Sequence, residues 1–159
     1  MMTARGMAEA VSYSLMLLTL DNQTTALRVR RYAPDEIWIG DQCVRAPCIL
    51  APHQLLTGWE ATSIATLTRA QLQPALALQP RILLVGAARD ITRPPAALRR
   101  EIEALGVALE CMELGAACRT YNVLSQEGRD VVAGLIPAPG SAPEEGTGEA
   151  GVDQPITRS

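Results

Sequence analysis

Residues 82–86 read Ile-Leu-Leu-Val-Gly, a continuous apolar run that follows Arg81 and closes on Gly86. A strand wetted on one face alternates apolar and polar side chains. A run without alternation belongs to a strand covered on both faces, as in parallel sheets. Parallel neighbours need a crossover connection, normally a helix, so this segment commits the chain to an α/β arrangement. The residues that follow supply the crossover. Thr92 and then Pro94 mark a helix start. Leu98, Ile102 and Leu105 fall at i, i+4 and i+7 as its core stripe. Arg99 and Glu103 pair on its outer face, an interaction of about 0.3 kcal/mol. Gly106 is its stop, and Val107–Met112 reads as the returning strand. Short strand–helix–strand links of this kind take a right-handed crossover.

Upstream the period changes. Residues 26–32 alternate apolar and polar, the mark of a half-buried strand. Residues 37–40 read as a second strand and 44–51 as a third, ending at Pro52, with turns at Pro34-Asp35 and Asp41-Gln42. These form an antiparallel meander. His53, Gly58 and Trp59 fall in the loop that follows. Thr68-x-x-Gln71 has capping-box form, with Leu72, Leu76 and Leu78 behind it, and Pro74 predicts a helix that starts late or kinks. The last helix is expected over about 120–136, with Leu124, Val131, Val132 and Leu135 on one face. Glu127-Gly128-Arg129 then sits mid-helix, where glycine costs up to about 1 kcal/mol against alanine and admits close approach of another element. The expected fold is an α/β domain over 21–137, with an N-terminal antiparallel meander and a strand-helix-strand-helix C-terminal half. Residues 1–20 read as a flexible extension. Glu9 and the serines break the apolar patch around Met16, which makes it a poor signal peptide, and the chain can start at Met1 or Met16. Residues 138–159 read as a disordered acidic tail.

Hydrophobic residues make up 48% of the chain and aromatic ones 3%, with no Phe, so the core is aliphatic. The net charge is −3. Glu144, Glu145, Glu149 and Asp153 against Arg158 account for all of it, so the rest of the chain is neutral and offers no footprint for nucleic acid or an anionic membrane. No apolar run approaches the ~20 residues needed for membrane insertion. Cysteines at 43, 48, 111 and 118 contain no C-x-x-C pair, and His53 is the only histidine, which argues against a zinc site. Reduced thiols and a cytoplasmic location are expected, with no metal and no cofactor.

The densest reactive side chains lie where a strand hands over to a helix, in Gly115-Ala116-Ala117-Cys118-Arg119-Thr120-Tyr121-Asn122. A thiol near a helix N-terminus has its thiolate stabilised by the macrodipole, with Arg119 beside it. The plainer reading of Cys118 is a small buried side chain under the loop. Arg119 can bind an anion together with backbone N–H groups, or pair with Glu127. Thr120 and Asn122 read as helix caps, and Tyr121 as a packed ring or a pocket wall. Cys43, Cys48 and Cys111 read as core or edge residues, and Trp38 and Trp59 as core or rim. Gly86-Ala87-Ala88-Arg89-Asp90 follows a strand as phosphate loops do, but lacks both glycine-rich fingerprints. No general base accompanies Cys118, so no catalytic residue is assigned.

The ILLVG strand, the proline-initiated helix and GAACRTYNVLSQEGRDVVAGLIP (115–137) together resemble the Mth-type domain family of small, mostly uncharacterised proteins. The likeness covers roughly Leu27 to Pro137, and C-R-T-Y-N and E-G-R are its specific elements. The family includes the mitochondrial assembly factor of respiratory complex I and has no agreed enzymatic activity. The resemblance implies a layered α/β fold with a mixed central sheet and an antiparallel layer, and a non-catalytic interaction or assembly module. Its partner would be a protein, such as a respiratory or membrane-complex subunit. Gly86, Cys118, Arg119, Thr120, Tyr121 and Asn122 are the ligand- or partner-binding candidates. Where the family usually has Gly-Thr-Gly after the buried strand, this chain has Gly86-Ala87-Ala88, so a contact made through the second glycine and the threonine does not carry over. The competing reading is a small anionic-ligand binder or a minimal thiol enzyme using the Cys118/Arg119 loop. It predicts a pocket at the C-terminal ends of Ile82–Val85 and Val107–Met112.

Overall fold

A computed structural model describes residues 26–140. The expected extension over 1–20 and most of the expected tail lie outside the described residues. The chain stays packed as far as Ala138, the first residue of the expected tail: it is buried and its N–H donates to the Pro34 carbonyl at 2.7 Å.

Strands β1 (Val29–Ala33), β2 (Glu36–Ile39) and β3 (Gln42–Val44) form the antiparallel meander. The third strand expected over 44–51 is two. Pro47, which has no N–H to give a ladder, separates β3 from β4 (Cys48–Ala51), and β4 belongs to a second sheet. β5 (Gln54–Thr57) folds back on β4 through the turn at Pro52 and His53, where a loop was expected. α1 (Arg69–Leu76) opens with the full capping box: Thr68 Oγ1 accepts the Gln71 N–H and the Gln71 carboxamide accepts the Thr68 N–H, both at 3.1 Å. Pro74 lies within this helix and does not delay its start.

β6 (Ile82–Ala87) runs parallel to both β7 (Ala108–Glu113) and β8 (Val131–Ile136), as its apolar run demands. α2 (Ala96–Ala104) begins two residues beyond Pro94, because Pro95 with ψ 134 is still extended. The Arg99–Glu103 pair forms at 3.2 Å. Leu98 and Ile102 are buried but Leu105 is 51% exposed, since α2 has ended and Gly106 turns the chain at φ +85.

The helix expected over 120–136 is the largest correction. α3 spans Leu114–Gln126, Gly128 ends it at φ +78, and Val131–Ile136 is β8. A glycine in the left-handed region is a helix terminator, so Glu127-Gly128-Arg129 is a turn and not a mid-helix contact. The six β8 residues are all buried, because the strand lies between β4 and β6 in the order β5-β4-β8-β6-β7.

The two faces of this mixed sheet carry two cores. Leu83, Val85, Val132 and Ile136 pack with Trp59, α1 and α2; Leu84, Val131, Ala133 and Leu135 pack with α3 and the meander. Each fully buried aliphatic side chain contributes roughly 1.5–3 kcal/mol of transfer free energy. Trp59 is core, its Nε1 donating to the Gln71 carbonyl at 2.7 Å, while half-buried Trp38 lies beneath the Arg31 guanidinium at 4.5 Å. No helix among the described residues is long and apolar enough to cross a membrane.

Candidate functional site

The junction of β7 and α3 is built by Glu113. It ends β7 opposite Ala87 and caps α3, its carboxylate accepting the Ala116 N–H at 3.0 Å. The Gly115 and Ala116 N–H groups hold this carboxyl below the usual carboxylate range, with a smaller contribution from Arg119. The positive end of the helix is therefore occupied by the chain's own anion. An anionic ligand at this terminus would have to displace it.

Cys118 lies in the second turn of α3 and is fully buried. Burial pushes its thiol up to about 12, the Glu113 charge pushes the same way, and Arg119 only partly opposes them. Desolvation thus outweighs the helix dipole that was expected to favour the thiolate, and the reactive-thiol reading does not hold. Cys48 is buried in the same core and also pushed up to about 12, and half-buried Cys111 to about 11, burial being the main cause in each. Cys43 is half-buried at the meander, its thiol raised first by desolvation.

The other candidates divide into interior and surface. Gly86 is buried in β6, where a Cβ would collide with the Ala117 Cβ and stand 3.3 Å from the Leu114 Cα. It lets α3 approach the sheet. Tyr121 is fully buried, and its hydroxyl donates to the Leu27 carbonyl at 3.0 Å. Asn122 is not a cap: its Oδ1 accepts the Val29 N–H at 3.0 Å and its Nδ2 donates to the Val29 carbonyl at 2.8 Å. Thr120 is half-buried in mid-helix and is not a cap either. Arg119 is exposed and donates to the Tyr32 hydroxyl, while Glu127 pairs instead with Arg129 at 3.5 Å.

Tyr32 and Glu113 escaped the sequence reading. Tyr32 lies over the first turn of α3, so close that a Cβ on Gly115 would sit 2.7 Å from its ring. Alternation in β1 placed Tyr32 on the strand, but no local signal placed that strand beside α3. A shallow groove of about 190 Å³ does lie at the C-terminal end of the parallel strands, lined by Tyr32, Pro34, Ala88, Glu113 and Leu114. Its one charged group is the cap itself. His53 lies elsewhere, beside the β4–β5 turn. Tyr32, Arg119 and Val123 are thus exposed, with Arg119 and Tyr32 joined by their hydrogen bond, above the buried Cys118 and Tyr121.

Comparison with known proteins agrees with this description. A Rhodobacter capsulatus protein named only as uncharacterised is 51% identical over 69 residues, covering 43% of this chain and 56% of that protein. The human NADH dehydrogenase [ubiquinone] 1 alpha subcomplex assembly factor 3 is 30% identical over 127 residues, covering 79% of this chain and 68% of that protein. The solution structure of a Bordetella pertussis protein described as a Mth938-like domain superposes with a TM-score of 0.64 at 28% identity, covering 74% of this chain and 89% of that one. Residues 29–136 match the family described as "Protein of unknown function (DUF498/DUF598)". That span begins with β1 and ends with β8, and with it the chain belongs to this family.

Proposed function

We propose that the chain is a non-catalytic docking module that assists assembly of an NADH dehydrogenase, acting in the cytoplasm on subunits of that complex. The observation that carries this reading is the likeness to a protein named as an assembly factor, which runs through 79% of this chain at 30% identity. The geometry supports it. Tyrosine and arginine are the residues most enriched among energetic anchors of interfaces, and here Tyr32 and Arg119 meet on the surface. Val123, 53% exposed, stands one turn beyond Arg119 on the same helix face, with half-buried Thr120 beside both. Gly86, Cys118, Tyr121 and Asn122 support this surface from within. They fix α3 against β6 and β1, so little ordering remains for the moment of binding.

The test is native affinity capture with mass spectrometry, run alongside measurement of the assembled dehydrogenase in cells lacking the chain. Wild type should retain dehydrogenase subunits, and deletion should deplete the assembled complex. Arg119→Ala combined with Val123→Asp should lose the subunits while keeping the wild-type circular dichroism. Capture of wild type alone, with normal complex in the deletion, would overturn the proposal.

A further inference from the structure

The five-stranded sheet treats its two edges differently. At β7 the Arg99 guanidinium donates to the Leu109 carbonyl at 2.9 Å, and Glu110 and Glu113 are exposed along the strand. The free edge of the meander, β3, stands between Asp41 and Arg45. Charged side chains and covering groups are ordinary means of keeping an edge from pairing. β5 reads Gln54-Leu55-Leu56-Thr57, with no charged side chain, no proline and an unbroken register against β4. The adjoining loops bond to the two ends of the hairpin. The Leu27 N–H donates to the Pro52 carbonyl at 2.7 Å and the Trp59 N–H to the Pro47 carbonyl at 3.2 Å. Among the described residues, no such loop hydrogen bond reaches 54–57.

The ladder fixes which groups face out. Gln54 closes a two-residue hairpin opposite Ala51. Bonded and non-bonded pairs alternate along an antiparallel ladder, so the N–H and carbonyl of Gln54 and Leu56 turn to β4 and those of Leu55 and Thr57 turn outward. Two copies of such an edge match under a two-fold axis. Leu55 of each copy meets Thr57 of the other and exchanges both N–H···O bonds with it. Leu56 then lies opposite Leu56 of the second copy. That side chain is half-buried on the Trp59 side of the sheet, and the pairing covers the rest of it. An identical partner also brings an identical charge pattern, and like charges set opposite each other across a ladder are destabilising. β5 has none, and residues 1–143 sum to zero charge, which leaves the folded parts of two copies without strong mutual repulsion. We infer that β5 pairs with β5 of a second copy, joining two five-stranded sheets into one continuous sheet. An edge of this length buries less than the ~1,200 Å² of a standard interface, so the dimer is reversible and concentration-dependent. It lies across the sheet from the junction of β7 and α3 and does not rest on the docking reading.

The test follows the full chain by sedimentation equilibrium from micromolar to millimolar concentration, with amide hydrogen exchange read at both extremes. A monomer–dimer equilibrium is expected, with protection of the Leu55 and Thr57 amides appearing only as the dimer forms. Thr57→Pro removes an outward N–H without touching the β4 ladder. It should weaken dimerisation roughly tenfold or more while keeping the wild-type circular dichroism. Leu56→Cys faces its own counterpart at a Cα separation of about 4.5 Å, within disulfide range. Treated with diamide, it should give a covalent dimer that wild type, with its native cysteines, does not. Should Thr57→Pro lose the native spectrum, this cross-link decides. A monomer at every concentration would overturn the inference. Protection of both amides in the monomer would also overturn it, because the same chain would then cover the edge. So would a dimer in which both amides exchange freely, since its contact lies elsewhere. A dimer indifferent to Thr57→Pro, with no cross-link through Leu56→Cys, would do the same.

Discussion

At the residue scale, Asn122 does what a neighbouring strand would do. Its carboxamide accepts from the N–H and donates to the carbonyl of Val29, 93 residues away. Each hydrogen bond is worth about 1 kcal/mol net, so Asn122→Ala should destabilise the protein by ~2 kcal/mol. This should lower the urea midpoint without changing the slope. Asn122→Asp keeps the acceptor and should fall between the two. Glu113 makes a prediction with a direction in pH. Its folded-state pKa lies below the unfolded value because helix N–H groups favour the carboxylate. The stabilisation is therefore present above the unfolded pKa and is lost as pH falls through the folded one. Glu113→Gln retains an acceptor but not the charge. It should be slightly less stable than wild type near neutrality, and the gap should close in acid once Glu113 is protonated. A gap that persists in acid would rule the charge out. Local density of polar groups made 118–122 conspicuous in the sequence. Tyr121 was legible as a packed ring, but its acceptor Leu27 was not, nor that Asn122 points inward, because the partners Leu27 and Val29 are remote along the chain.

At the scale of elements, β6 was legible and β8 was not, although both are apolar runs. Ile82–Gly86 stands between Arg81 and a loop, whereas Val131–Ile136 follows an amphipathic helix whose spacing Val131, Val132 and Leu135 happen to continue. Only the turn at Gly128 separates the two readings, and a glycine can sit within a helix or end one. The hairpin β4–β5 was hidden similarly: Pro52-His53 is a two-residue connection without the Asn-Gly or Asp-Gly signature of tight hairpins. The glycines of this region also separate conformational from steric demand. Nothing lies within 4 Å of a Cβ built on Gly128, so Gly128→Ala meets only the left-handed backbone, a cost of roughly 1–2 kcal/mol. A Cβ on Gly134 would stand 2.6 Å from the Trp59 ring. Overpacking of that kind costs about 1–3 kcal/mol and disturbs the core. Gly134→Ala should therefore alter Trp59 fluorescence and Gly128→Ala should not, even where the two melt alike. An unchanged emission in Gly134→Ala would show that the indole is free to move aside.

At the scale of the whole molecule, charge and edges act together. Residues 1–143 sum to zero charge and the entire net charge of −3 lies in residues 144–158. A neutral surface suits docking to proteins but gives little protection against association, because like-charge repulsion is what keeps soluble chains apart. The five-stranded sheet ends in β5 on one side and β7 on the other, and open edges are templates for pairing. At β7 the Arg99 guanidinium covers part of the edge, donating to the Leu109 carbonyl at 2.9 Å, and Glu110 and Glu113 are exposed along the strand. These guard the edge locally, while the acidic segment supplies the global repulsion. Removing residues 141–159 should leave the melting temperature unchanged, since the last packing contact described is Ala138 on Pro34. The solubility minimum should move from near the sequence pI of about 5.2 toward neutrality. Light scattering across pH, at matched concentration, reads both consequences when paired with a melting curve. A lower melting temperature in the shortened chain would mean that the acidic segment also holds the fold. An unmoved minimum would mean that the local guards on β7 are sufficient without it.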